Sequence, residues 1–115
     1  MINIVKTGAD SIPLIRSLSY QIWPEVYGSI LTAGQISYML DLMYSKDALE
    51  IQINQKNHQF ILAFDGDDPV GFASFGLKLN NDPAVYRLHK LYVLPGLHGK
   101  GVGKKLIQDI VNRKF

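Results

Sequence analysis

The stretch that decides the fold reads Leu91-Tyr-Val-Leu-Pro-Gly-Leu-His-Gly-Lys-Gly-Val-Gly-Lys104. It predicts a strand that ends at Pro95, a loop with glycines at positions 99, 101 and 103, and a helix that begins near Val102. The first amides of a helix have no helical partner and carry the positive end of its dipole, and glycines let a ligand approach the backbone. The stretch therefore predicts an anion site.

The charge distribution agrees with this interpretation. The whole chain has 115 residues and a net charge of +2, but residues 87–115 hold seven basic residues and one acid, and the first 86 residues are net acidic. A basic last quarter indicates an anionic ligand, either nucleic acid or a phosphorylated small molecule. A solvated, lysine-rich helix face is the plainer alternative.

Two common phosphate motifs do not fit the loop. A Walker loop requires a hydroxyl residue after the lysine, whereas Lys105 follows Lys104. A dinucleotide fingerprint requires a third glycine where this chain has Leu106.

In the strand before the loop, the apolar residues shift from even-numbered to odd-numbered positions. Tyr86 and Leu88 are apolar at even positions, whereas Leu91 and Val93 are apolar at odd positions. Because side chains alternate strictly along a regular strand, we expect a β-bulge near His89 or Lys90 that restores the register and bends the strand. In the alternative, the even positions face a helix on the other side of the sheet.

The rest of the chain predicts one strand, three helices and a hairpin. Ile2, Ile4 and Val5 indicate the opening strand, and a helix capped at Asp10 or Ser11 buries Leu14, Leu18 and Ile22 until Pro24 ends it. Thr32 and Gln35 match a capping box before an apolar stripe, and Ser45 caps a third helix. The later elements are a strand buried on both faces at 59–64, a turn at 65–69, a strand at 70–79, a turn at 80–83 and a strand at 84–94.

One family shares these motifs. The segment Leu88-His-Lys-Leu-Tyr-Val-Leu-Pro95, followed by His98-Gly-Lys-Gly-Val-Gly103, resembles the acetyl-CoA site of the GCN5-related N-acetyltransferases (GNAT). His98 stands where that family usually has Gln or Arg. The order of elements is also similar, and the region 38–44 with the hairpin resembles polyamine-type members.

The resemblance implies a fold and a domain boundary. The expected fold is α/β (α+β), with a mixed, largely antiparallel sheet flanked by helices. Residues 1–115 would form the N-terminal two-thirds of a single GNAT domain, without its C-terminal strands and helix. We therefore expect little or no turnover from residues 1–115 alone.

The resemblance also implies an activity and a site. Acetyl-CoA would donate its acetyl group to a primary amine by direct attack, with a backbone amide near Tyr92 stabilising the oxyanion. His89 is the candidate base, or else a solvent-facing strand histidine, and Tyr92 is the second catalytic candidate. The residues implied to bind the cofactor are Leu91, Tyr92, Val93, His98, Gly99, Lys100, Gly101, Val102, Gly103 and Lys104.

Other residues leave alternatives open. Trp23, Tyr27 and Tyr38 either shape an acceptor pocket or pack in the core, and His58 is expected at the surface. The three scattered histidines and the absence of cysteine predict no metal site.

Two other functions compete with acetyl transfer. One is a non-catalytic module that binds acetyl-CoA or CoA, and the other is a nucleic-acid binder, which the buried stripe of the last helix disfavours. The sequence predicts a soluble, cytoplasmic protein with no membrane partner. A homodimer is left open. The sequence allows a polyamine, another small amine or a protein amine as acceptor.

Overall fold

The computed structural model describes residues 2–77, 86–97 and 100–114. The strands are β1 (Ile2–Thr7), β2 (Gln59–Asp65), β3 (Asp68–Leu77) and β4 (Tyr86–Val93). The helices are α1 (Ile12–Tyr27), α2 (Ala33–Tyr44), α3 (Lys46–Asn54) and α4 (Val102–Lys114). Short 3₁₀ turns at Ala9–Ser11 and Pro95–Leu97 precede α1 and follow β4.

The four strands form one antiparallel sheet in the order β1-β2-β3-β4. Helices α1, α2 and α3 pack on one face of the sheet around a first core, and α4 packs on the other face around a second core. The predicted mixed α/β fold with a largely antiparallel sheet is confirmed.

Strand β2 contributes to both cores. Phe60 and Leu62 belong to the first core, Ile61 and Ala63 belong to the second, and all four are fully buried. This arrangement confirms the continuous apolar run as a strand with two buried faces. The turn to β3 passes through Gly66, whose φ of +63° is one that L side chains rarely adopt.

Two of the three predicted helix caps are present, whereas Ser11 precedes α1 without a side-chain capping hydrogen bond, so the predicted cap at Asp10 or Ser11 is wrong. The hydroxyl of Thr32 accepts a hydrogen bond from the Gln35 amide at 3.1 Å, and the Gln35 side chain accepts one from the Thr32 amide at 2.8 Å. Ser45 caps α3 by accepting from the Ala48 amide at 3.1 Å. These side chains satisfy amides that each helix cannot pair by itself.

The prediction that Pro24 ends the first helix is wrong. Helix α1 continues to Tyr27, and the Gly28 amide donates to the Pro24 carbonyl at 2.9 Å. Proline removes the hydrogen bond to the carbonyl four residues earlier, which belongs to Tyr20. Because Tyr20 and Pro24 both lie on the exposed side of α1, water can replace that bond.

Two apolar stripes are narrower than predicted. In α1 the buried residues include Ile15, Leu18 and Ile22, but Leu14 is exposed. In α4 the sequence predicts a stripe of Val102, Leu106, Ile107, Ile110 and Val111. Val102 and Leu106 are buried, whereas Ile107 and Val111 are each 43% exposed. A helix resting on one sheet buries only a narrow arc of its surface, so residues at the margin of the stripe stay outside. The predicted turn at 80–83 and the outer ends of its two strands lie outside the described residues.

Candidate functional site

Strand β4 contains the predicted bulge. Ser74 of β3 lies opposite Lys90, and the next residue, Phe75, lies opposite Leu88, so His89 is an extra residue in β4. Beyond the bulge the pairing continues one to one, with Ala73 opposite Leu91. The bulge falls at the first of the two positions where the alternation of the sequence indicated it.

The bulge reverses the side-chain parity of β4. Tyr86, on one side of His89, and Leu91 and Val93, on the other, all pack against the second core. Tyr92 packs against the first core. Leu88 shares the parity of Tyr86 but is 47% exposed.

The N-terminus of α4 lies next to the end of β4. The Lys105 amide makes the first helical hydrogen bond, to the Gly101 carbonyl at 3.0 Å. The preceding amides, at Val102, Gly103 and Lys104, therefore belong to the turn whose N–H groups have no helical acceptor. The Lys100 amide donates to the Leu97 carbonyl at 3.2 Å. Of the groups of Lys100 implied to bind the cofactor, the amide therefore already has an acceptor within the chain, and the side chain remains.

The two described glycines of the loop have different roles. Gly101 has φ +80°, and a Cβ built on it would have nothing within 4 Å. Gly103 has an ordinary helical backbone, and its Cβ would lie 3.9 Å from Cγ2 of Val93. Glycine is thus favoured at position 101 by its backbone conformation, whereas a Cβ at position 103 would make only an ordinary contact with β4.

The loop, the helix start and the strand enclose a common cleft of about 500 Å³. Its lining consists of Leu91, Val93, Leu97, Gly101, Val102, Gly103 and Lys104. Six of these seven residues belong to the set implied to bind the cofactor, and Leu97 was missed because nothing in its sequence context distinguishes it. His98 and Gly99 lie outside the described residues.

The opposite face of β4 carries an aromatic cluster formed by Trp23, Tyr27, Tyr44, Phe72 and Tyr92. The hydroxyls of Tyr27 and Tyr92 lie 3.2 Å apart, and the Trp23 and Tyr92 ring centroids are 6.1 Å apart. Burial raises the pKa of the Tyr44 and Tyr92 hydroxyls, so both stay protonated at neutral pH. The indole nitrogen of Trp23 and the Tyr44 hydroxyl are buried with no hydrogen-bond partner among the described residues.

The three aromatic residues singled out in the sequence lie in different environments. Trp23 is a core residue, and Tyr27 packs against the core while its hydroxyl faces Tyr92. Tyr38 is 67% exposed on α2 and takes no part in that cluster. Tyr44 was missed, because a helical tyrosine in an apolar stripe gives no separate signal.

The two histidines near the bulge are in contact. His58, expected at the surface, is partly buried, and its ring stacks on that of His89 with 3.8 Å between centroids and 13° between planes. The surface prediction for His58 is therefore wrong. Burial, together with His89, Lys90 and Lys56, lowers the pKa of His58 to about 4, and burial with Lys90 and Arg87 also lowers the pKa of His89.

Lys90, next to the bulge, is held in a mixed polar and aromatic setting that the sequence did not indicate. Its Nζ donates to Oε1 of Gln52 at 2.8 Å and lies 5.6 Å from the centre of the Tyr44 ring. Gln52 in turn donates to the Met43 carbonyl at 2.9 Å. Burial and the nearby Lys56 lower the pKa of Lys90 to about 8.

Two features are absent from the part of the chain that the structure describes. None of their helices has the length and apolar character needed to cross a membrane. Residues 2–77, 86–97 and 100–114 also hold no group of three or more acidic or histidine side chains placed to bind a metal ion.

The fold and the cleft define an α/β protein with a helix start aimed at the end of a bulged strand. The family model described as Acetyltransferase (GNAT) family matches residues 22–115, and the chain belongs to this family of acetyltransferases. No curated protein sequence matches the chain.

Solved structures share the fold. A PaiA N-acetyltransferase from Thermoplasma acidophilum, solved in complex with coenzyme A, matches with a TM-score of 0.84 and 23% identity over 99% of this chain and 72% of that chain. A GCN5-related N-acetyltransferase from Rhodopseudomonas palustris matches with a TM-score of 0.74 and 18% identity over 97% of this chain and 64% of that chain. A GNAT acetyltransferase from Staphylococcus aureus Mu50 gives 0.70 and 20%, over 99% and 66%. The chain thus spans between 64% and 72% of the length of these proteins.

Proposed function

We propose that the domain to which this chain belongs transfers the acetyl group of acetyl-CoA to a primary amine. The observation that carries the proposal is the common cleft, in which the start of α4 and the strand β4 meet beside the bulge at His89. The amine nitrogen forms a bond to the acetyl carbon, the carbon–sulfur bond breaks, the thiolate leaves as CoA, and the nitrogen gives up a proton.

The described residues fit the coenzyme. The amides of Val102, Gly103 and Lys104 are suited to its diphosphate, because a helix start offers N–H groups and a positive dipole end. The open space beside the Cα of Gly101 leaves room for that group. The pantetheine chain would follow β4 at Leu91, Tyr92 and Val93, since β4 is the last strand of the described sheet. His98, Gly99 and Lys100 complete the proposed binding set.

The proposed chemistry uses the residues around the bulge. The lowered pKa of His89 keeps its ring neutral at pH 7, the form that can accept the proton of the amine. An amide near Tyr92 would stabilise the oxyanion that forms on the acetyl oxygen. The Tyr92 hydroxyl, protonated and 3.2 Å from the Tyr27 hydroxyl, is the second catalytic candidate.

We also propose that residues 1–115 are the N-terminal two-thirds of one acetyltransferase domain. The share of the solved structures that the chain spans supports this boundary. Binding, rather than turnover, is therefore the first property to measure on this chain.

The binding experiment is a calorimetric titration of the chain with CoA. We expect Gly101→Val and Gly103→Val each to weaken binding at least tenfold, while Gly8→Val, at a glycine remote from the cleft with nothing within 4 Å of its Cβ, does not. Wild-type affinity in both loop variants would show that the phosphate site is assigned wrongly. Amine-dependent release of the CoA thiol, measured separately, distinguishes an enzyme from a module that only binds CoA.

A one-residue deletion tests the bulge itself. Deleting His89 would leave Leu88 and Lys90 opposite consecutive residues of β3, so that β4 becomes a regular strand with unchanged pairing. We expect this variant to fold and to lose CoA affinity, whereas His89→Asn keeps the bulge and keeps CoA binding. Equal CoA affinity in the deletion variant would exclude a role for the bulge in binding the coenzyme.

A further inference from the structure

The rings of His58 and His89 stack on each other, although one strand of the sheet lies between the segments that carry them. His58 immediately precedes β2 and His89 lies in β4, with β3 between them. The rings pass over Gly76, where a Cβ would lie 3.3 Å from Nε2 of His89 and 3.3 Å from the Asn57 carbonyl oxygen. The absence of a side chain at this one position is what lets the stack form.

The stack lies within a group of basic residues, which we name the basic cluster: Lys56, His58, Arg87, His89 and Lys90. Lys56 precedes His58 by two residues, and Arg87 precedes His89 by two residues on the same strand. Arg87 lies opposite Gly76 in the pairing of β3 with β4. Lys56 and Arg87 are exposed, whereas the histidines and Lys90 are partly buried. The cluster thus has a buried floor and a solvent-exposed rim.

The charges that act on the two stacked histidines are all positive. The charged groups that act on His58 and His89 are Lys56, Arg87 and Lys90, and no carboxylate is among them. Nδ1 of His58 is buried and makes no hydrogen bond to any described residue. The unpaired Nδ1 is costly to bury, and the exposed charges of Lys56 and Arg87 stand free to attract an anion from outside the chain.

The position of the cluster connects it to the proposed reaction. His89 is two residues, about 7 Å of strand, from Leu91, where the cofactor cleft begins. If the diphosphate binds at the start of α4 and the pantetheine follows β4 back toward the bulge, the thioester lies beside this cluster. The acceptor amine must then approach through the field of these cations.

We propose that the basic cluster binds an oxyanion, a carboxylate or a phosphate, carried by the acceptor amine. This inference rests on the proposed function and names its substrate class. A polyamine acceptor would bring further positive charge to this site and is disfavoured by repulsion. An amine that carries an acidic group gains attraction from Lys56 and Arg87 at the rim.

The test titrates the chain with succinate, inorganic phosphate and spermidine while NMR monitors the imidazole signals of His58 and His89. We expect saturable shifts with succinate or phosphate, and the stronger of the two identifies the oxyanion. Spermidine should leave both signals in place. Shifts caused by spermidine alone, or by none of the three probes, would overturn the proposal.

Variants connect the binding to the cluster. The double variant Lys56→Gln/Arg87→Gln should weaken anion binding about tenfold, because it removes two exposed charges without touching the core. The matched control is Lys46→Gln, which removes an exposed lysine on α3. Equal losses in the double variant and the control would indicate nonspecific attraction and would refute the assignment.

Failure of this proposal is distinguishable from failure of the proposed function. Gly101→Val should abolish CoA binding and leave succinate or phosphate binding intact. Loss of anion binding in Gly101→Val would place the anion in the cofactor loop and would overturn the assignment to the basic cluster. Normal CoA binding with no anion response would refute the basic cluster alone.

Discussion

A single methyl group on Gly71 is predicted to disturb the sheet beside the common cleft. Gly71 in β3 is opposite Val93 of β4, and a Cβ on it would lie 2.8 Å from the Tyr92 carbonyl oxygen. Ordinary contact begins at 3.4 Å, so β4 must move by about 0.6 Å. Because the obstructing atom is backbone, no rotamer change can relieve the contact.

The expected cost of Gly71→Ala is about 1–3 kcal/mol, the range for an extra methyl group forced into a packed interior. The control, Gly96→Ala, has nothing within 4 Å of its Cβ and should be neutral or stabilise by about 0.4–1 kcal/mol, because alanine restricts the unfolded chain. The urea midpoint of Gly71→Ala should therefore lie below that of the wild type, and that of Gly96→Ala at or above it. Urea unfolding monitored by circular dichroism measures both midpoints, and a Gly71→Ala midpoint at or above that of Gly96→Ala would refute the steric reasoning.

Three further predictions concern the rest of the fold. Leu106→Ala should cost about 2–5 kcal/mol of unfolding free energy because Leu106 is fully buried, whereas Ile107→Ala should cost far less, and equal costs in urea unfolding would contradict the described packing of α4. Thr32→Ala should cost about 0.5–2 kcal/mol through loss of its cap on Gln35, and unchanged stability would show that the capping box contributes nothing. The pKa of His58 is lowered from 6.5 to about 4, so the unfolded chain binds more protons in that range and stability should fall as the pH falls from about 6.5 to about 4. His58→Phe should flatten this dependence in thermal unfolding at several pH values, and an unchanged slope would assign it to other groups.

The parts of the fold that the sequence predicted are those that local patterns determine. A change of parity between Leu88 and Leu91 is incompatible with a regular strand that has one buried face, and this predicted a bulge near His89 or Lys90, which the structure places at His89. The capping box at Thr32 involves residues three apart, so its geometry follows from the sequence alone. The strand end, the glycine loop and the helix start that line the common cleft were predicted for the same reason, since they are consecutive in the sequence.

The contacts that the sequence could not predict join residues far apart in the chain. His58 and His89 meet because β2 and β4 flank Gly76, and the Tyr27 and Tyr92 hydroxyls meet across 65 positions. Nothing near any of these residues in the sequence specifies its partner. The predicted helix end at Pro24 was wrong for a different reason. An exposed proline late in a helix destabilises it by less free energy than the local rule assumes.

The bulge lets residues of opposite parity in β4 pack on one core. In a regular strand, Tyr86 and Leu91 would point to opposite faces of the sheet, whereas the extra residue His89 places both against the second core. Beyond the bulge the strand alternates, so that Lys90 and Tyr92 face the helices of the first core, and Leu91 and Val93 face α4 and the common cleft. The basic and aromatic side chains are therefore separated from the aliphatic lining of the cleft, and the two surfaces meet only at the outer edge of β4. Under the proposed function, coenzyme and acceptor would reach that edge from different faces, so that the charge of the acceptor site can vary without altering the site for the coenzyme.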